Sequence, residues 1–97
     1  MKASIANNMD YIANSLKLDE NKIWRLIDES FQTPKDLTST VDHFIIHLSP
    51  NHNIPGKDFD QMLSISQWVQ DKNVMTLKQK RLIGLLLGSY WNEQLPF

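Results

Sequence analysis

Three groups of side chains in this chain have types and spacings that could do chemistry. His43 and His47 stand four residues apart, with Asp42 beside them and His52 shortly after. On a helix, two imidazoles at that spacing share a face and can hold one divalent ion. A stable site needs three or four ligands and supporting contacts, and no Glu stands between the pair as in His-Glu-x-x-His. The bland expectation is therefore a polar face turned to solvent, with no metal and no cofactor. The second group is Lys78, Lys80 and Arg81, at the start of an apolar segment. Free amides and the helix dipole favour anions at such a start, so these cations are the candidate anion- or partner-binding group. A solvated helix start is the simpler expectation.

The third group lies in the run from Ile12 to Leu26. Ala13 is small enough for two helices to cross, Leu16 and Leu18 flank a turn, and Ile23 and Leu26 would pack a second helix on the first. The run is similar to the core of a helix-turn-helix. That resemblance implies a DNA-reading helix over Asp19–Phe31, with Asn21, Lys22, Trp24 and Arg25 offered to the major groove. Against it, Lys17 stands where the turn commonly has Gly, and Asp19, Glu20, Asp28 and Glu29 place negative charge where phosphates would lie. Two amphipathic helices joined by a short turn give the same pattern. Nucleophilic catalysis has no support: there is no Gly-x-Ser-x-Gly elbow, phosphate-binding loop or dinucleotide fingerprint. An enzyme is not expected.

The elements that would position these groups follow from the apolar periodicity. Ile5, Met9, Ile12 and Leu16 mark a first helix over Ser4–Leu16. Ile23, Leu26, Ile27 and Phe31 mark a second over Glu20–Phe31, with Asp19 as N-cap and Leu18 and Ile23 as a hydrophobic staple. Thr33-Pro34 opens a third, because proline at the first helical position gives up an amide that had no partner. Leu37, Val41, Phe44, Ile45 and Leu48 continue it at helical spacing. The β-branched content of Thr38–Ile46 keeps a strand open as the alternative. Ser49–Lys57, with two prolines and a glycine, is a loop.

A fourth helix is expected after the cap Asp58. Its broad stripe of Phe59, Met62, Leu63, Ile65, Trp68 and Val69 suggests a central helix covered on two sides. A fifth begins at Thr76, where Thr76 and Gln79 have capping-box spacing. It is nearly all apolar, and Gly84 and Gly88 leave one side open to close approach of another helix. Trp68, Tyr90, Trp91 and Phe97 are either a partner-binding surface, since interfaces favour large aromatics, or the core of a small domain.

The whole is expected to be an all-α, compact single-domain bundle of about five short helices spanning residues 1–97. The 97 residues contain no cysteine, which excludes disulfides and thiolate chemistry. Net charge is −1, without the basic excess of typical nucleic-acid or membrane-surface binders. The charge is uneven: residues 1–60 hold six basic and nine acidic side chains, and residues 61–97 hold four and two. The polar start lacks a signal-peptide apolar region, so a cytoplasmic location without membrane insertion is the default expectation. By elimination, the function expected is a non-catalytic interaction protein, such as an adaptor, inhibitor or accessory subunit. Its expected partner is a protein, with a homodimer among the options and a DNA-binding regulator as the alternative.

Overall fold

The computed structural model describes residues 3–15, 20–51 and 53–91. Five α-helices occupy most of them, and no strand occurs among the described residues: α1 Ala3–Ser15, α2 Glu20–Ser30, α3 Pro34–His43, α4 Gly56–Lys72 and α5 Leu77–Trp91. Between α3 and α4 the chain passes through a π-helical turn, Phe44–Leu48, and a 3-10 turn, Ser49–Asn51. The radius of gyration, 12.4 Å, is that of a compact domain of this length.

The apolar periodicity predicted from the sequence becomes the core. Ile5, Met9 and Ile12 of α1, and Ile23 and Ile27 of α2 with Phe31 just beyond it, are buried. A polar clasp joins these two helices. Asn8 Nδ2 donates to Ser30 Oγ at 2.8 Å, and that hydroxyl donates to the Leu26 carbonyl at 2.6 Å. Both bonds satisfy polar groups at a packed boundary. The expected Asp19 cap, the Leu18 staple and Leu16 lie outside the described residues.

Helix α3 opens as Thr33-Pro34 predicts, with a capping partner that the sequence analysis missed. Asp36 N–H donates to Thr33 Oγ1 at 3.2 Å, while Asp36 Oδ2 accepts from the amides of Gln32 and Thr33, each at 3.1 Å. The β-branched stretch is helical, not a strand. Thr38 donates to the Lys35 carbonyl and Thr40 to the Asp36 carbonyl at 2.6 Å, so the hydroxyls bond back along the helix. Leu37, Val41 and Phe44 are fully buried, with Thr40 on the same side. After His43 the winding loosens: Ser49 N–H donates to the Phe44 carbonyl, a five-residue step. The third helical segment thus reaches Leu48 as expected, but its last turn is π.

Two expectations about the second half are corrected. Helix α4 does not start after an Asp58 cap. It starts at Gly56, and Phe59 N–H donates to the Pro55 carbonyl at 3.1 Å. The Asp58 carboxylate instead accepts from the Tyr90 hydroxyl at 2.6 Å, tying the first turn of α4 to the last turn of α5. Nor is α4 the central helix. It buries Met62, Ser66 and Val69 but leaves Leu63 and Trp68 exposed, and it packs mainly on α3 and α5. Its left-handed last residue, Asn73 (φ 53°), closes the helix by donating to the Val69 carbonyl.

The central element is α5, which packs on all four other helices and on the π-turn. The Thr76–Gln79 capping box forms in both directions, at 2.9 and 3.1 Å. Ile83, Gly84, Leu87, Gly88 and Trp91 are buried along one side. Gly84 admits α2: a Cβ built there would stand 2.6 and 2.7 Å from Ile27 Cδ1 and Cγ1. Only glycine permits that approach.

Candidate functional site

The α2–α5 contact builds a surface groove. Burial of Ile23, Ile27 and Ser30 turns the opposite side of α2 outward. Asn21, Trp24, Arg25, Asp28 and Glu29 recur there at steps of three and four, which is one helical face, and Gln32 follows just past the helix end. The close approach at Gly84 brings Arg81, three residues earlier on α5, across the side of α2. Together these side chains line an open groove of about 540 Å³.

Its electrostatics are arranged around Asp28. Arg81 Nη2 donates to Asp28 Oδ2 at 3.1 Å, and Lys80 Nζ lies 3.9 Å from Oδ1. The Arg81 guanidinium also lies 5.1 Å from the centre of the Trp24 ring, within cation–π range. Two buried atoms in this arrangement, Asp28 Oδ1 and Arg81 Nε, have no hydrogen-bond partner among the described residues. Beside the Trp24–Arg81–Asp28 stack, Arg25 and Glu29 are exposed one turn apart. Neither is in an ion pair among the described residues.

The two candidate groups that the sequence offered separately thus meet in one place, with changes. Asn21 and Arg25 are exposed, and Trp24 is half-buried under Arg81. Lys22 is half-buried and points elsewhere, its ammonium 4.8 Å from the centre of the Tyr11 ring on α1. Lys80 and Arg81 are turned onto Asp28, leaving Lys78 as the exposed cation of that trio. Asp28, Glu29 and Gln32 were not singled out as site residues. Their four-residue steps from Trp24, Arg25 and Asp28 could have marked them.

The aromatic group is dispersed. Trp91 is 4 % exposed, with its ring stacked on Phe44 at 6.0 Å and on His43 at 6.1 Å, so it belongs to the core and not to a partner-binding surface. Tyr90 is half-buried and bonded to Asp58. Trp68, at 41 %, is exposed on α4, and Phe97 lies outside the described residues.

The histidine pair is brought together. The rings of His43 and His47 are 4.7 Å apart, the first at the end of α3 and the second inside the π-turn. His47 faces solvent as expected, whereas His43 is half-buried against Trp91. Burial, and then the neighbouring His47, hold the His43 imidazole below the usual histidine value. No group of three or more potential metal ligands occurs among the described residues, and His52 lies outside them.

No protein-family model, no curated protein and no solved structure matches this chain. No helix among the described residues is long and apolar enough to cross a membrane.

Proposed function

We propose that this chain is a non-catalytic interaction protein that binds another protein through the α2–α5 groove. The observation that carries the proposal is the composition of that groove. A tryptophan and two arginines, residue types that dominate binding energy at protein interfaces, are collected on one outward helix face and its neighbour. The Trp24 ring, held under Arg81 and flanked by Arg25, Glu29 and Gln32, offers a flat anchor with polar groups around it. A protein segment can bury an apolar side chain on the ring while pairing with the exposed charges. Double-stranded DNA suits this face less well. Asp28 and Glu29 line the same groove as Arg25, and Asp28 already holds Lys80 and Arg81.

The test is site-specific photocrosslinking in extract of the source cells, with a photoreactive amino acid replacing Gln32 in the groove or Asp60 on the exposed side of α4. The proposal expects a discrete protein adduct at position 32 that is absent at position 60 and lost in an Arg25→Ala/Glu29→Ala background. No adduct at position 32 overturns it. Salt-sensitive binding of a labelled duplex, lost in Lys22→Ala/Arg25→Ala, would put the DNA-binding regulator in its place.

A further inference from the structure

Resting on the groove as the place where this chain binds protein, we infer that its occupant is a second copy of the chain, docked as an antiparallel α2–α2 pair. The argument starts from charge. Arg25 and Glu29 are exposed on the outward face of α2 and four residues apart, and neither is engaged in an ion pair among the described residues. Asp28 between them is held by Arg81 and Lys80, so its charge is met within the chain. What the unengaged charged side chains of the α2 face present outward, among the described residues, is therefore one positive and one negative group, Arg25 and Glu29. A face of one sign needs a partner of the other sign, whereas this face is compatible with itself.

Two-fold symmetry requires that if residue i touches j of the partner, j touches i of the partner. An antiparallel pair of α2 helices, with the axis crossing their outward faces midway between Arg25 and Glu29, meets this condition. Each Arg25 faces the other copy's Glu29, and each Glu29 the other copy's Arg25. A parallel pair would set Arg25 against Arg25 and Glu29 against Glu29, so the charges also select the direction. In the antiparallel register, Trp24 of each copy falls against the turn between Asp28 and Gln32 of the other, which supplies the apolar anchor. The 11 residues of α2 span about 16 Å, a short interface that sets the dimer in the weak, rapidly exchanging class.

Sedimentation equilibrium of the purified full-length chain, from micromolar to near-millimolar concentration, tests this directly. The weight-average mass should climb from that of a monomer toward twice that value. Arg25→Glu alone and Glu29→Arg alone should each weaken association by more than about tenfold, because each places two like charges face to face. Mixing the two variants in equal amounts should restore association, since every facing pair is then opposite in sign. The chain carrying both substitutions should dimerise with itself. Both positions are exposed, so the fold tolerates these changes, and circular dichroism of each variant checks it. A wild-type chain that stays monomeric at the highest concentration overturns the inference. So does a dimer whose two single variants fail to rescue each other. Crosslinking at Gln32 separates this from failure of the groove itself. An adduct with a different protein, formed by a chain monomeric in isolation, leaves the groove as a protein-binding site and removes only the second copy.

Discussion

Replacing Gly84 with alanine should destabilise the protein, although alanine is the better helix former. In an unobstructed helix the exchange would stabilise by about 0.8–1.0 kcal/mol through backbone entropy. Here the new methyl would stand 2.6, 2.7 and 3.0 Å from Cδ1, Cγ1 and Cγ2 of Ile27. The Cδ1 atom could rotate away, but Cγ1 and Cγ2 branch from Cβ, and a β-branched residue in a helix has one strongly preferred χ1. Ile27 is also fully buried among the core side chains. Overpacking of this kind costs roughly 2–3 kcal/mol, so the clash exceeds the propensity gain and the net loss is about 1–2 kcal/mol. With a urea m-value of ~1.5 kcal/mol/M, the midpoint of unfolding should fall by about 1 M. Ile27→Ala removes the obstruction and by itself costs roughly 2–5 kcal/mol as a buried truncation. In that background Gly84→Ala should turn stabilising, so the double-mutant cycle should return a coupling of about 2–3 kcal/mol. Urea unfolding followed by far-ultraviolet circular dichroism measures all four corners of the cycle. A midpoint that rises in Gly84→Ala, or a cycle that closes additively, would refute the close α2–α5 approach on which the groove depends.

The remaining predictions probe the contacts that fix the helix ends and the histidine pair. Tyr90→Phe deletes the bond to the Asp58 carboxylate and, at a half-buried site, should cost about 1–2 kcal/mol by urea unfolding, with an unchanged fold by circular dichroism. Asp36→Ala removes the acceptor of two backbone amides at the start of α3 and should cost about 1–3 kcal/mol. Lys35→Ala, on an exposed neighbour, should stay within about half a kcal/mol. Because the folded protein lowers the His43 pKa below 6.5, protonation favours the unfolded chain. The His43 contribution is therefore fully present above pH 6.5 and is lost as the pH falls through the folded value. His47→Gln removes one cause of the depression and should raise the His43 pKa, read from imidazole proton chemical shifts. A pKa that does not rise in that variant would dissociate the two rings.

Much of the architecture is local and was therefore legible in the residues. Helix α1, helix α2 and the start of α3 were set by apolar steps of three and four and by Thr33-Pro34, which act over a single turn. The Thr76–Gln79 box formed as its spacing predicted, because both partners lie within one turn. Asp36 could have been recognised in the same way, as the third residue after Thr33. The start of α4 was misplaced because Asp58, a good local cap, found a better-placed donor in Tyr90, 32 residues away.

Apolar spacing and end signals within each segment sufficed for a set of amphipathic helices and for where most of them begin. The sequence could also present Asn21, Trp24 and Arg25 as one face, since a helix fixes that geometry from within. Which helix is central was settled by packing between segments. The stripes of α4 and α5 are both broad, and the choice depended on Gly84 letting α2 come close while Leu63 and Trp68 stayed outside. Packing likewise sent Trp91 into the core and turned Lys80 and Arg81 onto Asp28, across 53 residues of chain between Asp28 and Arg81. Those fates depend on which helices meet, and that is set by shape complementarity among side chains far apart in sequence. The periodicity of any one segment carries no record of it.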